Sequence, residues 1–225
     1  LNVDRSRAGS THGEAAEEKT IKIGIWPLDA SDKIKMRGTS WHPNCPVPLA
    51  DLVKVHVAHL DFTGKKQVGE LVVHQAVSRE IQEIFEILLK EGFLIAKIKP
   101  VRAYGGSDEA SMADNNTSAF NCRAITGRPG VFSVHSYGMA LDINPLVNPY
   151  VKKDQVLPPN GRMYLKRTQI QPGMVTPKDA CHSAFTERGW IWGGSWRSVR
   201  DYQHFEKKKY KVLSRKGRKR TYNHK

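Results

Sequence analysis

Three cysteines in 225 residues, with no Cys-x-x-Cys spacing among them, are too few for a disulfide scaffold and give no thiolate metal motif. Cys45, Cys122 and Cys181 allow one bridge and one free thiol, and their number does not fix a compartment. Long apolar runs are missing as well. Nowhere do 18 uncharged apolar residues follow one another, so no segment is built to cross a membrane as a helix. There is no internal repeat, no regular strand–helix–strand alternation, and no zinc-finger, KH or RNP-like signature. Acids are scarce, at 22 Asp and Glu against 36 Lys and Arg, for a net charge of +14. The scarcity is concentrated at one end, because residues 207–225 hold ten Lys or Arg and no acid. Such a run seeks a polyanion, or else it is a solvated terminus.

What is present is an ordinary globular composition, 39% hydrophobic and 26% charged. The chain opens on Leu1 rather than Met, as expected after processing, so the lack of a visible signal peptide does not argue for the cytoplasm. Residues 1–19 are polar and read as a disordered leader, 20–206 as a single catalytic domain, and 207–225 as a basic tail. Ile21 to Trp26 opens the ordered part, and the proline-bearing stretch 30–50 reads as an irregular wrap. Val53, Val55, Val57 and His59 alternate with Lys54, His56 and Ala58, which is strand periodicity; a Thr63-Gly64 turn and the run Glu70 to His74 complete a hairpin. Val77, Ile81, Ile84, Phe85, Ile87 and Leu88 line one helical face, with Ser78 as cap and Gly92 as stop. Phe93 to Val101 predicts a strand, 104–118 a loop, Met139 to Ile143 a strand, 144–176 a surface connection, Pro177 to Arg188 a helix, and Tyr202 to Phe205 a strand. Helices and antiparallel-type strands mixed in this way predict the α+β class, a small antiparallel sheet packed with helices.

Most of the nine histidines have plain explanations, since His12 and His224 fall near the ends and His42, His56, His59, His74 and His182 lack partner spacing. His135 and His204 keep different company. The first stands in Ser133-Val134-His135-Ser136-Tyr137-Gly138-Met139-Ala140-Leu141-Asp142, the second in Asp201-Tyr202-Gln203-His204-Phe205-Glu206. Two imidazoles and a carboxylate suit a borderline cation such as zinc, and three protein ligands with one open position mark a catalytic site. Gly138 permits a tight turn and Ala140 close packing beside the ion. Spacing alone leaves this cluster one pairing among many.

Ser133-x-His135-x-x-Gly138-x-Ala140-x-Asp142 resembles the first metal motif of the VanY-type D-alanyl-D-alanine carboxypeptidases and related L-alanyl-D-glutamate peptidases, zinc peptidases of family M15. Asp201-x-x-His204-Phe205 resembles their second motif, and the likeness extends to Asn121-Cys122-Arg123 and the tryptophan-rich stretch Gly189 to Trp196. It spans residues 40–206 and implies a Hedgehog/DD-peptidase-like fold. By that resemblance His135, Asp142 and His204 are the zinc ligands and Asp201 is the general base. Arg123 faces the scissile carbonyl or a substrate carboxylate, and Ser133 lines the pocket. The dipeptidase branch carries Glu where this chain has Asp201, which leans away from a strict dipeptidase.

The chemistry is coherent: a zinc ion polarises the carbonyl and acidifies water, and a carboxylate outside the ligand set moves the proton. Glu206, two positions from His204 on one strand face, either orients an imidazole or pairs with a basic neighbour. Tyr137 and Trp192 are further substrate-binding candidates, and Trp190, Trp192 and Trp196 either wall the cleft or pack in the core. Cys122 has no His/Asn constellation to make it a nucleophile. The resulting expectation is hydrolysis of a peptide bond in peptidoglycan stem peptides, foremost as a D-Ala-D-Ala carboxypeptidase. An L-Ala-D-Glu endopeptidase or an inactive wall-binding module are the alternatives. The expected location is periplasmic or extracellular, with 207–225 meeting an anionic wall polymer or lipid surface and no specific nucleic acid.

Overall fold

The computed structural model describes residues 22–207, together with the backbone of 211–213 and 219–221. The leader expected over 1–19, and the basic tail beyond Lys207 apart from those two short strands, lie outside the described residues. Helices are mixed with small, mostly antiparallel sheets, which is an α+β arrangement.

The described chain enters through β1 (Gly24–Pro27) and turns into α1 (Ala30–Met36). This helix lies within the stretch that reads as irregular wrap. Its cause is a capping box: the Asp29 side chain accepts from the Asp32 amide at 2.8 Å, and the Asp32 side chain accepts from the Asp29 amide at 3.1 Å. The prolines that suggest a wrap all fall after Met36. Next, β2 (Leu52–Leu60) and β3 (Lys66–His74) form the hairpin, in register from Leu52↔His74 to Leu60↔Lys66, with β1 added along β2. Asp61 holds its turn by accepting from the Thr63 and Lys65 amides.

Val55, Val57, Leu71 and Val73 are buried against Ile81, Ile84, Phe85 and Leu88 of α2 (Ser78–Lys90). Each such side chain contributes roughly 1.5–3 kcal/mol through burial. The other sheet face is covered too, because Leu52 and Val72 cluster with Leu28, Met36 and Val47. Ser78 is not the cap of α2; its hydroxyl donates back to the Gln75 carbonyl at 2.8 Å, and Val77 takes the cap position without a side-chain bond.

Of the strand expected over 93–101 only β4 (Lys97–Ile98) forms, and α3 (Asp108–Ala113) follows inside the stretch that reads as loop. Ser107 caps α3 by accepting from the Ala110 amide, and Asp108 and Glu109 lie at its positive end. β4 pairs in parallel with β5 (Asn116–Thr117). The short hairpin β6 (Ala124–Ile125) and β7 (Arg128–Phe132) precedes β8 (Ala140–Asp142), and the connection 144–176 contains β9 (Tyr150–Lys152) and β10 (Gln155–Leu157). The later elements are α4 (Ala180–Thr186), β11 (Trp190–Trp192), β12 (Arg200–Asp201), β13 (His204–Lys207), β14 (Lys211–Leu213) and β15 (Lys219–Thr221).

Two small sheets, ordered β11-β13-β8 and β10-β9-β12, carry three of the four residues His135, Asp142, Asp201 and His204. Phe205 of β13 stacks on Phe185 of α4 with ring centroids 4.2 Å apart, which anchors β13 in the core. Cys45 and Cys122 form a disulfide, and Cys181 is free and buried. Among the described residues no helix is long and apolar enough to cross a membrane.

Candidate metal centre

β8 and β13 pair so that His204 stands directly opposite Asp142, Phe205 opposite Leu141, and Glu206 opposite Ala140. Side chains alternate along a strand, so Leu141 and Phe205 enter the core while Asp142, His204 and Glu206 share the opposite face. The small Ala140 sits across from Glu206 on that face. His135 comes from a different element, a tight helical turn over Val134–Tyr137. The Ser133 hydroxyl caps this turn by accepting from the His135 amide at 3.3 Å. Gly138 ends it at φ +66°, and a Cβ there would stand 2.5 Å from the His74 backbone nitrogen at the end of β3.

These elements bring three side chains to one point. His135 Nε2 lies 3.1 Å from an Asp142 carboxylate oxygen and 3.2 Å from His204 Nδ1, and His204 Nδ1 is 3.1 Å from the other Asp142 oxygen. All three residues are buried, at 6% exposure or less. The outward nitrogens are also engaged: His135 Nδ1 meets the Ala119 carbonyl at 2.6 Å and His204 Nε2 meets Glu206 at 3.3 Å. With those nitrogens donating outward, the two inward nitrogens present lone pairs beside a carboxylate. Such a donor set fits a zinc ion, and the neighbours that orient the rings are those a metal ligand needs.

The electrostatics express the same demand for positive charge. Burial disfavours a charged His204, yet its bonds to Asp142 and Glu206 and the nearby carboxylates push it up to about 10. Burial likewise opposes charge on Asp142, but His135 and His204 hold it well below the usual carboxylate range. Asp201 behaves differently. Burial pushes its carboxyl up to about 6, against the pull of His204 and with the help of Asp142. It sits on β12, where it pairs with Tyr150 of β9, and the turn Tyr202–Gln203 carries the chain on to His204. Gly193 makes room for this turn, since a Cβ there would come within 2.9 Å of the Asp201 Cβ and 3.3 Å of the His204 Cβ.

The cluster opens on a cleft of about 490 Å³ lined by Arg123, Ser133, His135, Asp142, Asp201 and His204, among others. Arg123 Nη2 is 3.0 Å from Asp108 Oδ2, and Ser136 fixes the Arg123 backbone, accepting from its amide at 3.0 Å and donating to its carbonyl at 2.8 Å. Tyr137 and Trp192 are not brought to this cleft. Tyr137 packs against the main core, and Trp192 is 5% exposed with its indole N–H donating to the Tyr202 carbonyl. Trp190 is likewise buried, donating to Glu80. Trp196 is the tryptophan in the cleft wall, its ring 5.5 Å from that of His204. Sequence reasoning missed Asp108, Ser136 and Gly193, none of which carries a local signal of its role. For Glu206 the geometry selects one of two open readings, the partner of the His204 ring.

A family model described as D-alanyl-D-alanine carboxypeptidase matches residues 126–207, the stretch that supplies His135, Asp142, Asp201 and His204. Searches of the curated proteins and of the solved structures each returned no match.

Proposed function

From the match of residues 126–207 to the M15 peptidase family, we propose that this protein is a zinc-dependent peptidase that hydrolyses a peptide bond in peptidoglycan stem peptides. Removal of the terminal residue of a D-Ala-D-Ala end is the leading reaction, on a Hedgehog/DD-peptidase-like fold. The observation that carries the reading is the convergence of His135 Nε2, Asp142 and His204 Nδ1 within 3.2 Å of one another, at the base of the cleft that Asp201 also lines. Zinc bound there supplies Lewis acidity toward the peptide carbonyl and acidifies water.

This chain's own residues do the rest. Asp201 takes a proton from the attacking water and returns it to the leaving nitrogen; its raised affinity for a proton suits a group that both accepts and donates near neutral pH. Arg123 faces the carbonyl oxygen as negative charge grows on it, a contribution typically worth about 3–4 kcal/mol per donor. Ser133 caps the His135 turn and lines the pocket, and Trp196 forms an apolar wall. Aspartate rather than glutamate at position 201 favours a second reading, cleavage between L-Ala and D-Glu. The Cys45–Cys122 disulfide fits a periplasmic or extracellular location, where residues 207–225 would meet an anionic wall polymer or lipid surface.

Zinc-loaded protein incubated with purified peptidoglycan fragments, followed by mass spectrometry, tests the reading. Loss of one D-alanine is the expected product; a break between L-Ala and D-Glu selects the second reading. Fragments left intact by zinc-loaded protein would make it an inactive wall-binding module. Asp201→Ala should lower turnover about 10²–10⁴-fold with most of the bound zinc retained.

A further inference from the structure

We propose that the substrate carries a free carboxylate away from the scissile bond, and that Arg128 and Lys152 bind it while Arg123 serves only the carbonyl. The inference rests on the peptidase reading and narrows its substrate class. Three cationic side chains line the cleft, Arg123, Arg128 and Lys152. Their electrostatic situations differ.

Arg123 is already neutralised. Its Nη2 lies 3.0 Å from Asp108 Oδ2, and its Nη1 is 3.4 Å from the Ala124 carbonyl. Asp108 is fixed as the first residue of α3, with Asn121 Nδ2 3.5 Å from its second oxygen. A substrate carboxylate brought to Arg123 would face Asp108, and like charges at such range repel. A carbonyl oxygen meets no such opposition and can still take a hydrogen bond from the guanidinium.

Arg128 and Lys152 have no such partner. They stand on separate elements, β7 and β9, and among the described residues neither side chain has an ion-pair or hydrogen-bond partner. The acids of the cleft are committed elsewhere: Asp108 to Arg123, Asp142 to both histidines, and Glu206 to His204. Among the described residues Asp201, on β12, makes no ion pair with either cation. Two exposed, uncompensated cations on the cleft lining attract anionic ligands, and the guanidinium plane fits a carboxylate through two parallel bonds. A stem peptide offers two such groups, the chain-terminal carboxylate and the α-carboxylate of a γ-linked D-glutamate.

Three otherwise identical peptides separate these sources: both carboxylates free, the C-terminus amidated, or the glutamate α-carboxylate amidated. With the zinc-loaded full chain, amidating the recognised group should raise KM about 10–100-fold, the range for losing one or two charge-assisted bonds. Arg128→Gln/Lys152→Gln should raise KM equally on the free peptide, leave kcat nearly unchanged, and show no further loss on the amidated one. Equal effects of the double variant on all three peptides, or none on any, would overturn the proposal. Calorimetric binding of the same peptides to the Asp201→Ala protein reads the carboxylate without turnover. Carboxylate-dependent binding without hydrolysis by the parent chain would count against the peptidase reading alone; hydrolysis without carboxylate dependence would count against this inference alone.

Discussion

Glu206 is 2% exposed and lies 3.3 Å from the outward nitrogen of His204, so it sets both the tautomer and the basicity of that imidazole. Glu206→Gln keeps the shape and an acceptor oxygen but removes the charge. Zinc affinity should fall about 10–100-fold, as measured by competition with a chromophoric chelator; unchanged affinity would remove Glu206 from the support of the centre. Residues of this kind are half legible in sequence. His135, Asp142, Asp201 and His204 stand out because the two short motifs that hold them resemble those of a known family, whereas their spacing alone does not single them out. Asp108 is invisible there, since it meets Arg123 only after α3 and the β5–β6 segment have folded against each other. Glu206 could be placed on the right strand face, but its partner depended on where the His204 ring turns.

Among the elements, the turn that bears His135 is tightly constrained by close packing. Gly138 combines φ +66° with a Cβ position 2.5 Å from the His74 nitrogen, whereas Gly127, at φ +75°, has nothing within 4 Å. Gly138→Ala should therefore destabilise the protein by more than the roughly 1 kcal/mol expected of Gly127→Ala, reaching about 2 kcal/mol or beyond. It should also weaken zinc binding, because relief of the clash displaces the turn. Urea unfolding of both variants checks the comparison, and equal losses would refute the close-contact argument. Long periodic elements were readable for a physical reason: β2, β3 and α2 each bury a regular face, so their apolar spacing repeats several times. Elements of six or seven residues such as α1 and α3 offer no more than two turns of pattern. They form on caps instead, Asp29 with Asp32 and Ser107 with the Ala110 amide, and caps are easily hidden among neighbouring prolines, glycines and asparagines.

At the scale of the molecule, the disulfide ties the segment after α1 to the segment between β5 and β6, next to Arg123, across 77 positions of sequence. Cys45→Ser/Cys122→Ser should lower the unfolding free energy by about 2–5 kcal/mol, seen as an earlier urea midpoint for the zinc-loaded protein. An unmoved midpoint would mean that the two hydrophobic clusters hold this region without the crosslink. Three cysteines gave no way to choose this pair, because pairing depends on the register that brings the loop before β2 beside the segment after β5.

The opposition of His204 to Asp142 across β13 and β8 also sets a timetable. A chain emerging from its N-terminus can complete the hairpin, α2 and the turn bearing His135 while His204 has yet to be made. His204 arrives only with β13, after His135 and Asp142, so the group proposed to hold the metal stays incomplete until that strand has been made.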